Sequence, residues 1–308
     1  MRNPSDTLLA FAGLIFFGLA WGTTQPLTKI AVSTGHLPLG LIFWQLVFAV
    51  LLIGIVLWAR KIPVPFNKQH LFYYVGVSIL GTLVPNSFSY LAAAQLPAGI
   101  MAVVITTVPM FSLMIALSVG NEKFRMHRSL GIILGVSAML MIALPEASLP
   151  TAGQGFWLLI ALIAPFCYGI EGNFVASKAP PKLNPMAALW GASFFGMLIS
   201  GPAAIVSGQW VDLFIPWQAA EWAILGSSIG HAIAYSGYMW LVGFAGVVFT
   251  AQISYVVMIC AISISMLFLG EAYSSWVWLA IGLILIGLTL VQPIGKLPDP
   301  EVGDIPNP

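Results

Sequence analysis

A single carboxylate interrupts one of the long apolar stretches of the chain. Glu171 lies within residues 154–177, which carry no other acidic or basic side chain. An ionisable group inside a membrane-length segment costs at least about 2.5 kcal/mol to insert, so its default interpretation is functional. A buried lone carboxylate either takes up a proton or finds a cation. We therefore expect Glu171 to bind an amine or a coupling proton; the alternatives are that it reaches the inner interface or pairs with Lys178 or Lys182.

The residues beside Glu171 are weak helix formers. Gly169, Gly172 and Asn173 surround it, and glycine and asparagine rank low in helix propensity. Discontinuous helices in membrane proteins present backbone carbonyls at such points. We expect the helix to unwind here, and we count Asn173 with Glu171 among the residues of the site.

Two further apolar stretches each carry polar and aromatic side chains along one helical face. Side chains three or four residues apart lie on the same face of a helix. Within a bilayer such a face either lines a cavity or forms hydrogen bonds to neighbouring helices. A histidine there could also handle protons, because imidazole titrates close to neutrality. The two faces consist of Thr82, Asn86 and Tyr90 in one stretch and of Ser227, His231, Tyr235 and Tyr238 in the other.

The remaining candidates for a cavity wall are aromatic and amide side chains. Aromatic rings attract ammonium groups through their quadrupoles, at about 0.5–2 kcal/mol each. Most rings in such stretches only pack against their neighbours, so packing is the alternative for each. These candidates are Trp21, Trp44, Tyr168, Gln25 and Gln45.

The composition places these residues in a bilayer. The chain is 59% hydrophobic and only 7% charged, whereas soluble domains carry roughly 25% charged residues. A net charge of +1 gives no reason to expect nucleic acid, which requires clustered Lys and Arg. Cys167 and Cys260 lie in apolar stretches, which favours neither a disulfide nor a metal site. No phosphate loop, zinc-ligand spacing or nucleophile triad is present, so we expect neither a cofactor nor an enzymatic activity.

The apolar stretches predict an all-α integral membrane protein. A helix crosses the hydrocarbon of a bilayer, about 30 Å, with roughly 20 apolar residues. Ten stretches satisfy this length, near residues 7–30, 37–59, 70–94, 98–119, 128–145, 154–177, 186–207, 218–242, 245–269 and 273–292.

An internal duplication relates the two halves of the chain. Residues 96–145 and 242–293 each open on an Ala-Gly pair, continue through an apolar run to a glutamate, Glu122 or Glu271, and end in proline after a second run. Because each unit contains five helices, the second must cross the membrane in the opposite sense, which is the inverted-repeat plan of secondary transporters. We expect a first repeat at 1–147, a second at 148–293 and a loose tail at 294–308.

The basic residues predict the orientation. With the N-terminus in the cytoplasm, all but one of the eleven Lys and Arg residues lie on or near cytoplasmic segments, as the positive-inside rule requires. Both termini are then cytoplasmic. The exception, Lys29, is expected to snorkel to the outer interface. Glu122 and Glu271 fall on opposite sides, so we expect helix capping and gating contacts from them rather than a shared substrate.

The doubled set of short motifs resembles the drug/metabolite transporter superfamily, and within it the EamA-like ten-helix branch. The resemblance covers about residues 8–293 and implies a bacterial inner-membrane carrier of amino acids, amines and other small metabolites, with helices around a central cavity. One departure is Gln45, where many relatives carry an arginine, so the cavity lacks a fixed cation of its own. The motifs are Trp21-Gly22 followed by Lys29, Ala98-Gly99, Ala245-Gly246, Gly120-Asn121-Glu122 and Gly270-Glu271.

Among a carrier, a membrane enzyme and a structural or sensor protein, these features favour the carrier. We expect export of amino acids or amines by alternating access; the alternative is uptake of a cationic or zwitterionic osmolyte such as a quaternary amine. The expected partners are the lipid bilayer and a small-molecule substrate, with proton coupling left open. A monomer or a weak homodimer is expected, since Gly131-x3-Gly135 and Gly226-x3-Gly230 allow close helix contact.

Overall fold

The computed structural model describes residues 4–144, 153–214, 216–245, 247–250 and 252–291. Within these ranges the chain forms fourteen α-helices and one π-helical segment, and no strand. The predicted all-α class is therefore confirmed. In chain order the elements are α1 (Pro4–Gly22), α2 (Thr24–Ser33), α3 (Pro38–Ala59), α4 (Lys68–Ser78), the π-helical segment (Ile79–Leu83), α5 (Val84–Gln95), α6 (Ala98–Ile105), α7 (Val108–Ser118), α8 (Met126–Ala143), α9 (Gln154–Lys178), α10 (Pro185–Val206), α11 (Ala219–Ala245), α12 (Val247–Thr250), α13 (Ile253–Phe268) and α14 (Ser275–Val291).

Seven helical stretches among the described residues are long and apolar enough to cross a membrane. Two further apolar helices, Ile253–Phe268 and Ser275–Val291, are shorter. The total of ten spans stays a prediction. The seven stretches are Asp6–Ser33, Pro38–Ala59, Lys68–Gln95, Ala98–Ser118, Met126–Ala143, Gln154–Lys178 and Pro185–Val206.

Three of these stretches are interrupted shortly before a proline. Pro26, Pro85 and Pro109 each lack the N–H that would bond the carbonyl four residues earlier, and the proline ring crowds that carbonyl. The preceding turn therefore departs from regular α-helix. The interruptions are the turn at Thr23, the π-helical segment at 79–83 and the turn at 106–107.

Helices of the first half pack mainly against helices of the second half. α8 lies along α14, and α3 lies along α10. α9 packs against α5 and α7, while α11 packs against α1, α2 and α3. The stretches that carry Glu171 and His231 are thus each surrounded by helices from the other half.

Many large apolar side chains lie on the outside of this bundle. Leu8, Ile55, Ile133 and Leu279 are all more than half exposed, which in water would be unfavourable for so many side chains. The exposed apolar surface matches a bilayer environment.

Glycines bring α8 and α14 into backbone contact. A Cβ atom at Gly131 would lie 2.7 Å from the carbonyl oxygen of Gly287, and one at Gly287 would lie 2.9 Å from that of Gly131. Gly135 faces the side chain of Met110 in the same way. These glycines are used for packing inside the chain, so the Gly131-x3-Gly135 spacing gives no support for a homodimer.

Replacing Gly131 with alanine should destabilise the protein, by about 1–3 kcal/mol, because the added methyl group forces α8 away from α14. The matched control is Gly282→Ala in α14, where no atom lies within 4 Å of the added Cβ. Thermal unfolding in detergent, followed by circular dichroism, should give a lower midpoint for the first variant only. Equal midpoints for the two variants would contradict the close contact.

Charged side chains hold the turn between α5 and α6. Lys29 Nζ donates to the carbonyl oxygen of Ala93 at 2.8 Å, and Glu271 accepts from the N–H groups of Ala98 at 2.7 Å and Gly99 at 3.1 Å. A cation at the end of one helix and an anion at the start of the next both complement the helix dipoles. The expected helix capping by Glu271 is confirmed. The expected snorkelling of Lys29 to the outer interface stays a prediction, and its ammonium group is bonded to carbonyl groups at the end of α5.

Candidate functional site

Glu171 is half-buried on α9 and lies against the π-helical segment. A Cβ atom on Gly81 would lie 2.9 Å from both Cδ and Oε1 of Glu171. The carboxylate therefore occupies space that any side chain at position 81 would fill. π-helical turns within α-helices are frequent at functional sites, and this one places the backbone of Gly81 beside the carboxylate.

Three tyrosines from three helical stretches lie in the vicinity of Glu171. Tyr73 of α4, Tyr168 of α9 and Tyr235 of α11 each lie close enough for an electrostatic interaction between the hydroxyl and the carboxylate. Tyr73 is also stacked on Phe174, with ring centroids 5.9 Å apart. The neighbourhood of the carboxylate is thus aromatic, and neither ion pair of the described residues includes Glu171.

Glu171 has no cationic partner among the described residues. The two ion pairs in those ranges join His36 to Glu221 at 3.1 Å and Arg128 to Glu122 at 2.9 Å. Lys178 and Lys182, the alternative partners considered from the sequence, are in neither pair. Neither of the two ion pairs therefore neutralises the Glu171 carboxylate.

A second polar cluster adjoins the carboxylate. Tyr168 donates its hydroxyl hydrogen to Oδ1 of Asn86 at 2.8 Å, and Tyr90 donates to Oε1 of Gln45 in a short hydrogen bond. These contacts join α3, α5 and α9. Four of the residues selected from the sequence therefore form two hydrogen-bonded pairs, and Tyr168 of the first pair lies one helical turn from Glu171.

The polar face of α11 contributes further candidate residues. His231 Nδ1 lies 3.0 Å from the carbonyl oxygen of Ser227, and Tyr235 and Tyr238 have ring centroids 6.4 Å apart. Trp21, in the last turn of α1, meets Tyr238 edge to face at 6.2 Å. Gln25 is half-buried in the first turn of α2, a helix that packs on α11.

A family model decides what kind of protein has this architecture. The model of the EamA-like transporter family matches residues 8–144 and, a second time, residues 155–292. The chain belongs to the EamA-like transporter family. It is therefore a membrane transporter of small molecules, as the resemblance in its motifs predicted.

Individual relatives of this EamA-like transporter cover most of its length. It is 25% identical to the uncharacterized inner membrane transporter YedA of Escherichia coli strain K12 over 290 residues, 93% of this chain and 91% of that one. It is 23% identical to the uncharacterized transporter sll0355 of Synechocystis over 297 residues, 88% and 86% of the two chains. Protein PagO of Salmonella typhimurium is 27% identical over 166 residues, 53% of each chain. A solved crystal structure superposes with a TM-score of 0.60 at 15% identity, over 94% of this chain and 96% of that one, and supports the fold alone.

Two residues selected from the sequence lie away from the cluster around Glu171. Trp44 donates its Nε1 hydrogen to the carbonyl oxygen of Val211 at 2.7 Å, so its ring packs against the segment between α10 and α11. Asn173 donates to the carbonyl oxygens of Ser112 at 3.0 Å and Gly169 at 2.9 Å. Both side chains are held by backbone carbonyls at contacts between elements of the transporter, and their assignment to the site stays a prediction.

The expected unwinding of the helix around Glu171 is wrong. α9 is continuous from Gln154 to Lys178. A Cβ atom on Gly169 would lie 2.9 Å from the backbone nitrogen of Ser112. Gly169 therefore serves the close approach of α9 to α7 rather than a break in the helix.

Tyr73 and Gly81 belong to the site and were not selected from the sequence. The face of Thr82, Asn86 and Tyr90 was extended at α-helical spacing, but the π-helical segment inserts an extra residue into the turn. One extra residue rotates the side chains of α4 by about 100° around the helix axis relative to those of α5. The proline at position 85 was the available signal, because it marks the turn in which regular spacing ends.

Proposed function

We propose that this transporter exports small amines or amino acids across a bacterial inner membrane, and that Glu171 binds their ammonium group. The observation that carries this proposal is a half-buried carboxylate that lies against Gly81, has Tyr73, Tyr168 and Tyr235 in its vicinity, and has no cationic partner among the described residues. A carboxylate in such a place attracts a cation, and rings nearby add quadrupole attraction. The inner-membrane location is supported by the relative in E. coli, whose description names that membrane.

Transport in this proposal proceeds by alternating access of two inverted five-helix repeats, residues 1–147 and 148–293, with both termini in the cytoplasm. Three interhelical packings support it, because each recurs when the halves are exchanged. α1 lies on α13 as α9 lies on α7; α5 lies on α9 as α11 lies on α1 and α2; and α3 lies on α11 as α10 lies on α4. The start of α6 also meets Glu271, just beyond the end of α13, so these two helices run antiparallel.

Uptake of a quaternary ammonium osmolyte is the second candidate function. The aromatic rings of Trp21, Tyr235 and Tyr238 favour it, because quaternary ammonium groups are recognised through ring faces. A proton that shares Glu171 with the substrate is compatible with either direction of flux. Flux measured at two pH values, each with and without a proton gradient, separates coupled from uncoupled transport.

The carrier mechanism predicts counterflow. Proteoliposomes loaded with an unlabelled amine substrate should take up the labelled amine faster than empty proteoliposomes, because the loaded site returns across the membrane with substrate bound. Protein-free liposomes are the control for passive leakage of the neutral amine. Uptake that is independent of luminal substrate would count against alternating access and favour a channel.

A further inference from the structure

We propose that the site at Glu171 takes primary ammonium ions that carry an apolar body and no carboxylate. This inference rests on the proposed function, since it names the substrate class of the same site. It separates amines from two classes that the proposed function leaves open, namely amino acids and quaternary ammonium compounds.

The first argument is that the carboxylate lacks hydrogen-bond donors. Within the described ranges no side chain or backbone N–H donates to Glu171, and the hydroxyl of Tyr168, one turn away, already donates to Asn86 at 2.8 Å. Burying an ionised group without hydrogen-bond donors costs free energy, so a ligand that covers this half-buried carboxylate must bring donors of its own. A primary ammonium ion brings three N–H donors, whereas a quaternary one brings none. Only the primary ion satisfies both the charge and the hydrogen-bonding capacity of the carboxylate.

The second argument is that the site offers no cation to pair with a carboxylate on the ligand. The side chain of Gln45 is neutral, and its oxygen accepts a hydrogen bond from Tyr90. Lys29 is bonded to the carbonyl groups at the end of α5. Arg128 is bonded to Glu122 at 2.9 Å and to a carbonyl of α14. Among the described residues, the cations within the helical bundle are therefore engaged away from Glu171.

The neutral donors of the site do not replace a cation. His231 Nδ1 lies 3.0 Å from the carbonyl oxygen of Ser227, so its proton is held there and Nε2 is an acceptor in the neutral ring. The hydroxyls of Tyr73 and Tyr235 interact electrostatically with Glu171. An anion bound to them would be repelled by the same carboxylate. The carboxylate of an amino acid would thus be buried without a partner, which is costly.

The rest of the site suits an apolar body. Trp21 and Tyr238 meet edge to face, with centroids 6.2 Å apart, and Tyr235 lies 6.4 Å beyond. Aromatic side chains of this kind bury large apolar areas and contact other rings favourably. An alkylamine or arylalkylamine has the matching combination of one ammonium group and an apolar chain.

Two matched ligand sets test the inference on the purified full-length protein. The first set is phenethylamine, phenylalanine and phenethyltrimethylammonium; the second is butylamine, norvaline and butyltrimethylammonium. Within each set the second compound adds a carboxylate and the third removes the N–H donors. Isothermal titration should show the primary amine of at least one set binding about tenfold or more tightly than its two analogues. Glu171→Gln should remove that binding, while its size-exclusion profile in detergent shows that the variant is folded.

Gln45→Arg provides a second, independent variant. It places a cation beside the cluster, so it should raise the affinity for phenylalanine or norvaline about tenfold, without doing so for the quaternary compounds. Glu171-dependent binding of an amino acid or a quaternary compound as tight as that of its primary amine would overturn the inference and leave the proposed function standing. No Glu171-dependent binding by any of the six compounds would reject the proposed function and the inference with it.

Discussion

Glu171→Gln should abolish transport of amines while the protein still inserts and folds. The amide keeps the size of the side chain but removes the charge that holds an ammonium group. Removing one partner of a buried ion pair costs about 3–5 kcal/mol, equivalent to a loss of about a hundredfold or more in affinity. Uptake of a labelled amine into proteoliposomes at matched protein content measures the effect.

Asp212→Asn is the control for the loss of a carboxylate as such. Asp212 is exposed in the segment between α10 and α11, where Oδ1 accepts from the N–H of Phe214 at 2.9 Å. Transport by this variant should match that of the unmodified protein. Undiminished amine transport by Glu171→Gln, beside an equally active Asp212→Asn, would show that the carboxylate on α9 does not bind the substrate.

Gly81→Ala should impair transport without altering any charged group. The added Cβ atom would lie 2.9 Å from both Cδ and Oε1 of Glu171, closer than atoms of this kind approach, so the carboxylate must move. A misplacement of about 1 Å at a binding group can cost about a hundredfold in rate, and we expect a loss of tenfold or more here. Initial rates of amine uptake in proteoliposomes measure it.

The matched control for this variant is Gly172→Ala, one residue from the carboxylate on α9 itself. The nearest atom to its added Cβ is Oγ of Ser112 at 3.9 Å, an ordinary contact distance. Alanine is also the better helix former, so this variant should retain transport. Equal rates for the two variants would show that the space at Gly81 is not needed by Glu171.

The helical stretches could be predicted from the sequence because the length of apolar runs is set by the thickness of the bilayer. The interruption before Pro109 agrees with local chemistry, since proline removes a specific hydrogen bond, but Pro165 and Pro202 lie inside continuous helices, so proline alone does not predict an interruption. Whether the chain around Glu171 is helical or unwound could not be predicted from local sequence. Weak helix propensity at Gly169 is overridden by the packing of α9 on α7, and that packing is not visible in local sequence.

The candidate site could be predicted in part. Glu171 and Tyr235 come from helices far apart in the chain, yet each was marked by an uncommon polar type in an apolar stretch. Tyr73 was missed because the π-helical segment breaks the spacing on which the face was built. The contact of Trp44 could not be predicted, because its hydrogen-bond partner, the carbonyl group of Val211, lies 167 residues away. A partner at that separation is set by tertiary structure.

The hydrogen bonds from the α5–α6 turn to Glu271 have an energetic consequence for the transport cycle. Glu271 comes from the second half of the chain, and the amides of Ala98 and Gly99 that it holds come from the first. In an alternating-access cycle, parting the halves at this end exposes two amides and one carboxylate that must find water instead. Each broken charge-assisted bond is worth about 1.5–3 kcal/mol. Water replaces part of the free energy lost when these bonds break. A ligand that opens this end must therefore bind the open form more tightly than the closed form by at least the part that water does not replace.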